Sequence, residues 1–123
     1  MEDKLRRLDW IASSRKDMRE LPEDVQDSLG FQLYLAQLGQ MPPRAKPMRG
    51  FHGAGVLEII DNSDGDTFRA IYTVRFEESI YVLHCFQKKS KRGISTPRQE
   101  IDLIRSRLAL AEQAHTEWKK AQK

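Results

Sequence analysis

Between Asp66 and Arg92 the chain alternates apolar and polar positions in two successive runs, the period-two signature of half-buried strands. In the first run Phe68, Ala70, Tyr72, Val74 and Phe76 share one face, while Arg69, Ile71, Thr73 and Arg75 share the other. In the second, Ile80, Val82, His84 and Phe86 alternate with Tyr81, Leu83, Cys85 and Gln87. Glu77, Glu78 and Ser79 form a polar connector short enough for a hairpin. This hairpin is expected to carry cationic side chains to a phosphate backbone.

The flanking segments show other periods. Lys4 to Ile11 reads as a first strand. Ser13 and Ser14 offer a helix N-cap, and Ser14 with Asp17 makes an acidic variant of the capping box, so a short helix is expected up to Leu21. Pro22 suits the first position of a second helix, whose first-turn acids Glu23 and Asp24 complement the helix dipole. Val25, Leu29, Leu33 and Ala36 then recur at helical spacing until Gly39, giving a helical hairpin with an apolar stripe to cover. Residues 40–55, a basic loop with three prolines and three glycines, exclude helix and favour an extended course at Pro42 and Pro43. Val56 to Asp61 is the next strand, and Asp64-Gly65 marks a hairpin tip. Pro97 opens a last helix over 97–119, with Ile101, Ile104, Leu108, Ala111, His115 and Trp118 down one face.

The order β-α-α-β-β-β-α predicts one α+β domain over 1–123. Its small, antiparallel-rich sheet of about four strands carries the helical hairpin on one face. The chain of 123 residues is long enough for one modest core. A charged fraction of 32% beside a hydrophobic fraction of 39% in periodic runs describes a soluble globular chain and excludes a disordered one. No apolar run approaches the ~20 residues of a membrane span, and no signal peptide is evident, so a cytoplasmic protein without membrane contact is expected. The single Cys85 excludes an internal disulfide and, within an apolar strand, reads as a buried inert thiol.

Charge distribution adds more than the net +3. No acid occurs from Ser79 to Gln99, whereas Lys88, Lys89, Lys91, Arg92 and Arg98 all fall there. Such a block is the footprint of a nucleic-acid contact, although a solvated basic loop would look the same. His52, His84 and His115 lack metal-ligand spacing, and the Asp61–Gly65 turn lacks the closing glutamate of a calcium loop, so neither a metal nor a cofactor is expected. The carboxylates fall on helices and turns, with none read as interrupting an apolar face. What remains is cationic. Arg69 within a strand either faces solvent or serves a ligand, since unpaired burial is costly. Guanidinium groups and lysines stabilise a pentacoordinate phosphate, while a histidine or a lysine of depressed pKa moves protons. Metal-free phosphodiester cleavage is therefore available to these residues.

Three ordered segments sharpen the picture: AKPMRGFHGAGVLEI, DGDTFRAIYTV and YVLHCFQKKSKRGISTP. Together, over roughly residues 4 to 112, they resemble the phage-derived Gp49-like toxins, the HigB branch of the RelE/ParE superfamily. The resemblance implies a RelE-like fold and a type II toxin that cuts mRNA on the translating ribosome as an endoribonuclease without metal. It also implies a HigA-like helix-turn-helix antitoxin held in a hetero-oligomer. By position it assigns Arg69, Lys88, Lys89 and His84 to catalysis and Lys46 and Arg49 to RNA binding, and in the nuclease reading Lys91 and Arg92 of the basic block join them in positioning RNA. His84 has a second reading as a core residue, because alternation sets it with Val82 and Phe86. The terminal tyrosine used by some RelE nucleases has no clear counterpart, which leaves the general base open among Lys88, Lys89, Lys91 and His84. Two alternatives stand beside the nuclease: a non-enzymatic ParE-like inhibitor of DNA gyrase, and an inactive prophage-derived RNA-binding remnant.

Overall fold

A computed structural model describes residues 5–51, 53–88 and 97–122. Its elements run β1 (Arg7–Trp10), α1 (Ser14–Arg19), α2 (Glu23–Gln37), β2 (Ala45–Pro47), β3 (Val56–Ser63), β4 (Asp66–Thr73), β5 (Ser79–Lys88) and α3 (Arg98–Ala121). The expected α+β architecture is present, with one more strand. The sheet order is β1-β5-β4-β3-β2, with β1 parallel to β5 and every other pair antiparallel. The added strand, β2, comes from the proline-rich loop. Pro47, which has no amide to donate, is accommodated because β2 is an edge strand.

Each face of the sheet has its own core. Phe68, Ala70 and Tyr72 of β4 join Leu57, Ile59, Ile80, Val82 and Cys85 beneath Val25, Leu29, Leu33 and Ala36 of α2. Leu29 is fully buried, and truncating it to alanine costs about 2–5 kcal/mol. On the opposite face Ile71, Tyr81 and Leu83 meet Ile104, Leu108 and Ala111 of α3. Phe76, expected to share a face with Phe68, Ala70 and Tyr72, packs in this second core because β4 ends at Thr73.

Local signals resolve as follows. Asp64 (φ 51°) and Gly65 (φ 83°) make a two-residue turn with both φ positive, so β3 continues past Asp61 to Ser63. Gly55 is required on two counts: its φ is +66°, and a Cβ there would lie 3.1 Å from the backbone of Arg75. Pro22 and Pro97 both have ψ 148° and stand as N-caps instead of opening the helices. Their carbonyls accept the first helical bonds, from Gln26 and Ile101. The capping box does not form. Ser13 is the N-cap, and its hydroxyl donates to the Asp17 carboxylate (2.9 Å). Ser14 is buried inside α1 and donates to the Val82 carbonyl (3.0 Å), fastening α1 to β5.

The register of β5 decides what the α3 side presents. Tyr72 pairs with Val82, but Ile71 pairs with His84, so Leu83 is the extra residue of a β-bulge. The side chains beyond it change face. His84, Phe86 and Lys88 lie opposite Ile71, Arg69 and Thr67, and Cys85 turns toward Ala70 in the α2 core. The expected grouping of His84 and Phe86 with Val82 is therefore corrected.

Candidate RNA-facing site

Beyond the part of the sheet under α3, the bulged face carries a charged row across four strands. Lys46 pairs in register with Glu58, Glu58 and Arg69 are diagonal neighbours on β3 and β4, and Arg69 pairs with Phe86, two residues before Lys88. Arg69 Nη1 donates to Glu58 Oε2 at 2.8 Å. Lys46 Nζ lies 3.6 Å from Glu58 Oε1. Arg69, Glu58 and Lys88 are only 3%, 5% and 8% exposed, whereas the Lys46 side chain is half-exposed. Arg69 is thus neither a solvent-facing residue nor an uncompensated one.

Glu58 is the residue that sequence reasoning missed. It interrupts the apolar run of β3 between Leu57 and Ile59, contrary to the expectation that no carboxylate does so. Alternation supplied a usable signal, because a glutamate on the same face as Ile60 and opposite Ile71 faces the core side of α3. Its two oxygens engage two cations, which offsets the desolvation of the carboxylate. Burial holds the Lys88 ammonium below the usual lysine pKa. The neighbouring charges of Arg69 and Lys46 push it the same way, and Glu58 opposes them.

His84 belongs to a different network. Its Nε2 hydrogen-bonds Glu100 of α3, and its Nδ1 lies 3.3 Å from Arg107 Nη1. Arg107 also donates to the Leu83 carbonyl (2.9 Å) and to Ser13 Oγ (2.9 Å), tying α3, the bulge and the start of α1 together. The ring stacks on Phe86 with centroids 4.7 Å apart. Burial is the main cause that lowers the His84 pKa, and Arg107 adds to it against Glu100 and Asp17. The geometry suits a neutral ring in which Nε2–H donates to Glu100 and Nδ1 accepts from Arg107.

The structure thus brings Lys46, Arg69 and Lys88 together around Glu58, with His84 set apart against α1 and α3. Arg49 is exposed in the turn after β2. Lys89, Lys91 and Arg92 lie outside the described residues. Burial raises the Cys85 thiol to about 12, in line with an inert cysteine. His115 packs in α3 as expected, with Nδ1 at hydrogen-bonding distance from Tyr81 OH (3.0 Å) and Nε2 facing Glu78 (3.2 Å). Among the described residues no helix is long and apolar enough to cross a membrane.

No curated protein matches the chain. Among solved structures, it is similar to a mutant of the E. coli toxin RelE in the free state. That likeness has a TM-score of 0.53 at 22% identity and covers 71% of this chain and 87% of that one. The toxin–antitoxin complex RelBE2 from Mycobacterium tuberculosis gives a TM-score of 0.46 at 18% identity, over 72% of this chain and 98% of that one. The first of these likenesses establishes a RelE-like fold. Residues 16–109 match the family described as phage derived protein Gp49-like, a stretch that runs from α1 into α3 and contains Lys46, Glu58, Arg69 and Lys88. The chain belongs to this Gp49-like family.

Proposed function

We propose that the chain is the toxin of a type II toxin–antitoxin pair, an endoribonuclease of the HigB kind that cuts mRNA at the ribosome. The observation that carries this reading is the Lys46–Glu58–Arg69–Lys88 group, three cations gathered about one buried carboxylate on a RelE-like sheet. Cleavage begins when a base takes the ribose 2′-hydroxyl proton and the oxygen attacks the adjacent phosphorus. The 5′-oxygen then leaves with a proton, and a 2′,3′-cyclic phosphate remains. Arg69 and Lys46 stabilise the charge of the pentacoordinate phosphate. Lys88, with its lowered pKa, moves a proton. Glu58 holds the two cations in place and acts as a positioning residue. His84 contributes by fixing the bulge that aims Lys88. Arg49, together with Lys89, Lys91 and Arg92, grips the RNA backbone and the ribosome. A HigA-like antitoxin neutralises the enzyme in the cytoplasm.

The test is induction of the wild-type chain and of Arg69→Lys in bacteria, with growth and mRNA ends followed together. Wild type is expected to arrest growth and to leave new 5′-hydroxyl ends, which Arg69→Lys reduces while remaining folded. Arrest with intact mRNA and inhibited supercoiling would support the gyrase alternative instead.

A further inference from the structure

An aromatic ring lies within the charged row. Phe86 pairs in register with Arg69 and stands two residues before Lys88, so the three side chains share one face of the sheet. We propose that the ring of Phe86 is a stacking platform for one unpaired nucleobase of the RNA strand whose phosphates the row holds. The proposal deepens the nuclease reading of the row and rests on it.

Position and exposure come first. From Ser79 to Cys85 every residue of β5 is buried, and exposure returns at Phe86, which is half-buried at the margin of the second core. A partly exposed apolar side chain is ordinary by itself. Its neighbours are not. Directly opposed residues in a sheet have Cβ atoms about 4.5–5.5 Å apart, so Arg69 stands beside the ring, and Lys88 is the next side chain on the same face of β5. Glu58, the acid of the row, is engaged by Arg69 and Lys46, so the face meets a ligand as a cation. Every nucleotide of a single RNA strand carries an anionic phosphate and an apolar base face, and cations next to an aromatic ring match both. A duplex hides its base faces in the stack, so the occupant is unpaired.

Orientation is the second observation. One face of the Phe86 ring lies on His84, with centroids 4.7 Å apart and planes 16° from parallel. His84 is held in turn by its hydrogen bond to Glu100 and by Arg107, which also donates to the Leu83 carbonyl. A base on the opposite face of Phe86 therefore continues an existing stack of parallel rings. Because the ring is fixed before RNA arrives, little side-chain freedom is lost on binding. The bulge at Leu83 is what places both rings here. Without the extra residue, Phe86 would turn toward the α2 core and the row would hold cations alone. Stacking reads the size of a base more than its edge, so a purine at this position binds more tightly than a pyrimidine.

The test measures binding of the full-length protein to single-stranded 2′-O-methyl hexanucleotides, which lack the attacking hydroxyl and cannot be cut, with an abasic site placed at each position in turn. Wild type is expected to lose about tenfold in affinity when one particular base is missing, the usual worth of one stacked base. Phe86→Leu should lose about the same on intact RNA and nothing further on that abasic strand, whereas Phe86→Trp should restore the preference for the intact strand. Phosphate contacts release counterions and stacking does not, so Phe86→Leu should leave the salt dependence of binding unchanged while Lys46→Ala flattens it. The wild-type abasic series and Phe86→Trp decide the matter even if Phe86→Leu melts early. The proposal is overturned if wild type binds no hexanucleotide, if no single abasic site weakens binding, or if Phe86→Leu weakens intact and abasic strands alike. Cleavage of ribosome-bound mRNA, followed separately, tells the two failures apart. Cutting by wild type with an indifferent Phe86 sinks the platform alone, and base-dependent binding without cutting sinks the nuclease reading.

Discussion

Glu58 and Arg69 lie diagonally across β3 and β4 with a 2.8 Å contact between carboxylate and guanidinium, both almost fully buried. Removing either partner takes from the other buried charge its 2.8 Å contact, a loss of up to about 3–5 kcal/mol. That is a large part of the ~5–15 kcal/mol that stabilises a typical domain. Arg69→Ala and Glu58→Ala are each expected to lower the urea midpoint strongly, and the double variant by much less than the sum. A double-mutant cycle in urea measures the coupling. Additive losses would show that the pair is not an energetic unit.

A consequence follows for tests of activity. Under the proposed function, loss of toxicity in Arg69→Ala would have two causes, a missing phosphate contact and a weakened fold, whereas Lys88 separates chemistry from charge. Lys88→Arg keeps a positive group at the end of β5 but cannot release a proton near neutral pH. Cleavage is expected to fall about 10²- to 10⁴-fold, the usual worth of a positioned acid or base, with RNA affinity retained. Single-turnover cleavage and filter binding on the same preparations provide the check. Equal loss of both would make Lys88 a binding residue.

Much of the architecture was legible because it rests on periodicity. The apolar spacing in α2, the alternation in β4 and the Asp64-Gly65 tip each identify an element through one local cause. The bulge at Leu83 was not legible, because Tyr81 to Gln87 alternates without a glycine or any break to mark an extra residue. Its effect is large, since it moves His84, Phe86 and Lys88 onto the face of Arg69 and Glu58. Strand β2 escaped for a different reason. Three residues containing a proline have little strand character until β3 is available to pair with Lys46. Glu58 was hidden by its own success as an ion-pair partner, because its cations come from two other strands.

Tyr72 tests which face of β4 is structural. Its ring belongs to the α2 core, and its hydroxyl is buried without a hydrogen-bond partner among the described residues. Burial raises its pKa to about 12. Leaving a hydroxyl unsatisfied costs about 1–3 kcal/mol, which the phenylalanine ring avoids. Tyr72→Phe is expected to raise stability by about 1 kcal/mol and to leave cleavage unchanged. Thermal melts and RNA cleavage measure the two effects. Reduced cleavage at unchanged stability would give the hydroxyl a part in function.

The His84 network predicts acid sensitivity with a definite sign. The folded pKa lies below the ordinary 6.5, because burial and Arg107 outweigh Glu100 and Asp17. As pH falls through 6.5 the unfolded chain takes up this proton first, so the unfolded state binds more protons and stability falls. The contribution is complete above pH 6.5 and is lost progressively as pH drops toward and through the folded value. His84→Gln places an amide near the Nε2 position without a titration in that range. Urea midpoints between pH 7.5 and 5 should decline less steeply in the variant than in wild type. Because Glu100 and Arg107 belong to α3, the wild-type decline should come with faster amide exchange in the first turns of that helix. A decline of equal slope in both proteins would assign the acid response to other groups and leave His84 as packing alone.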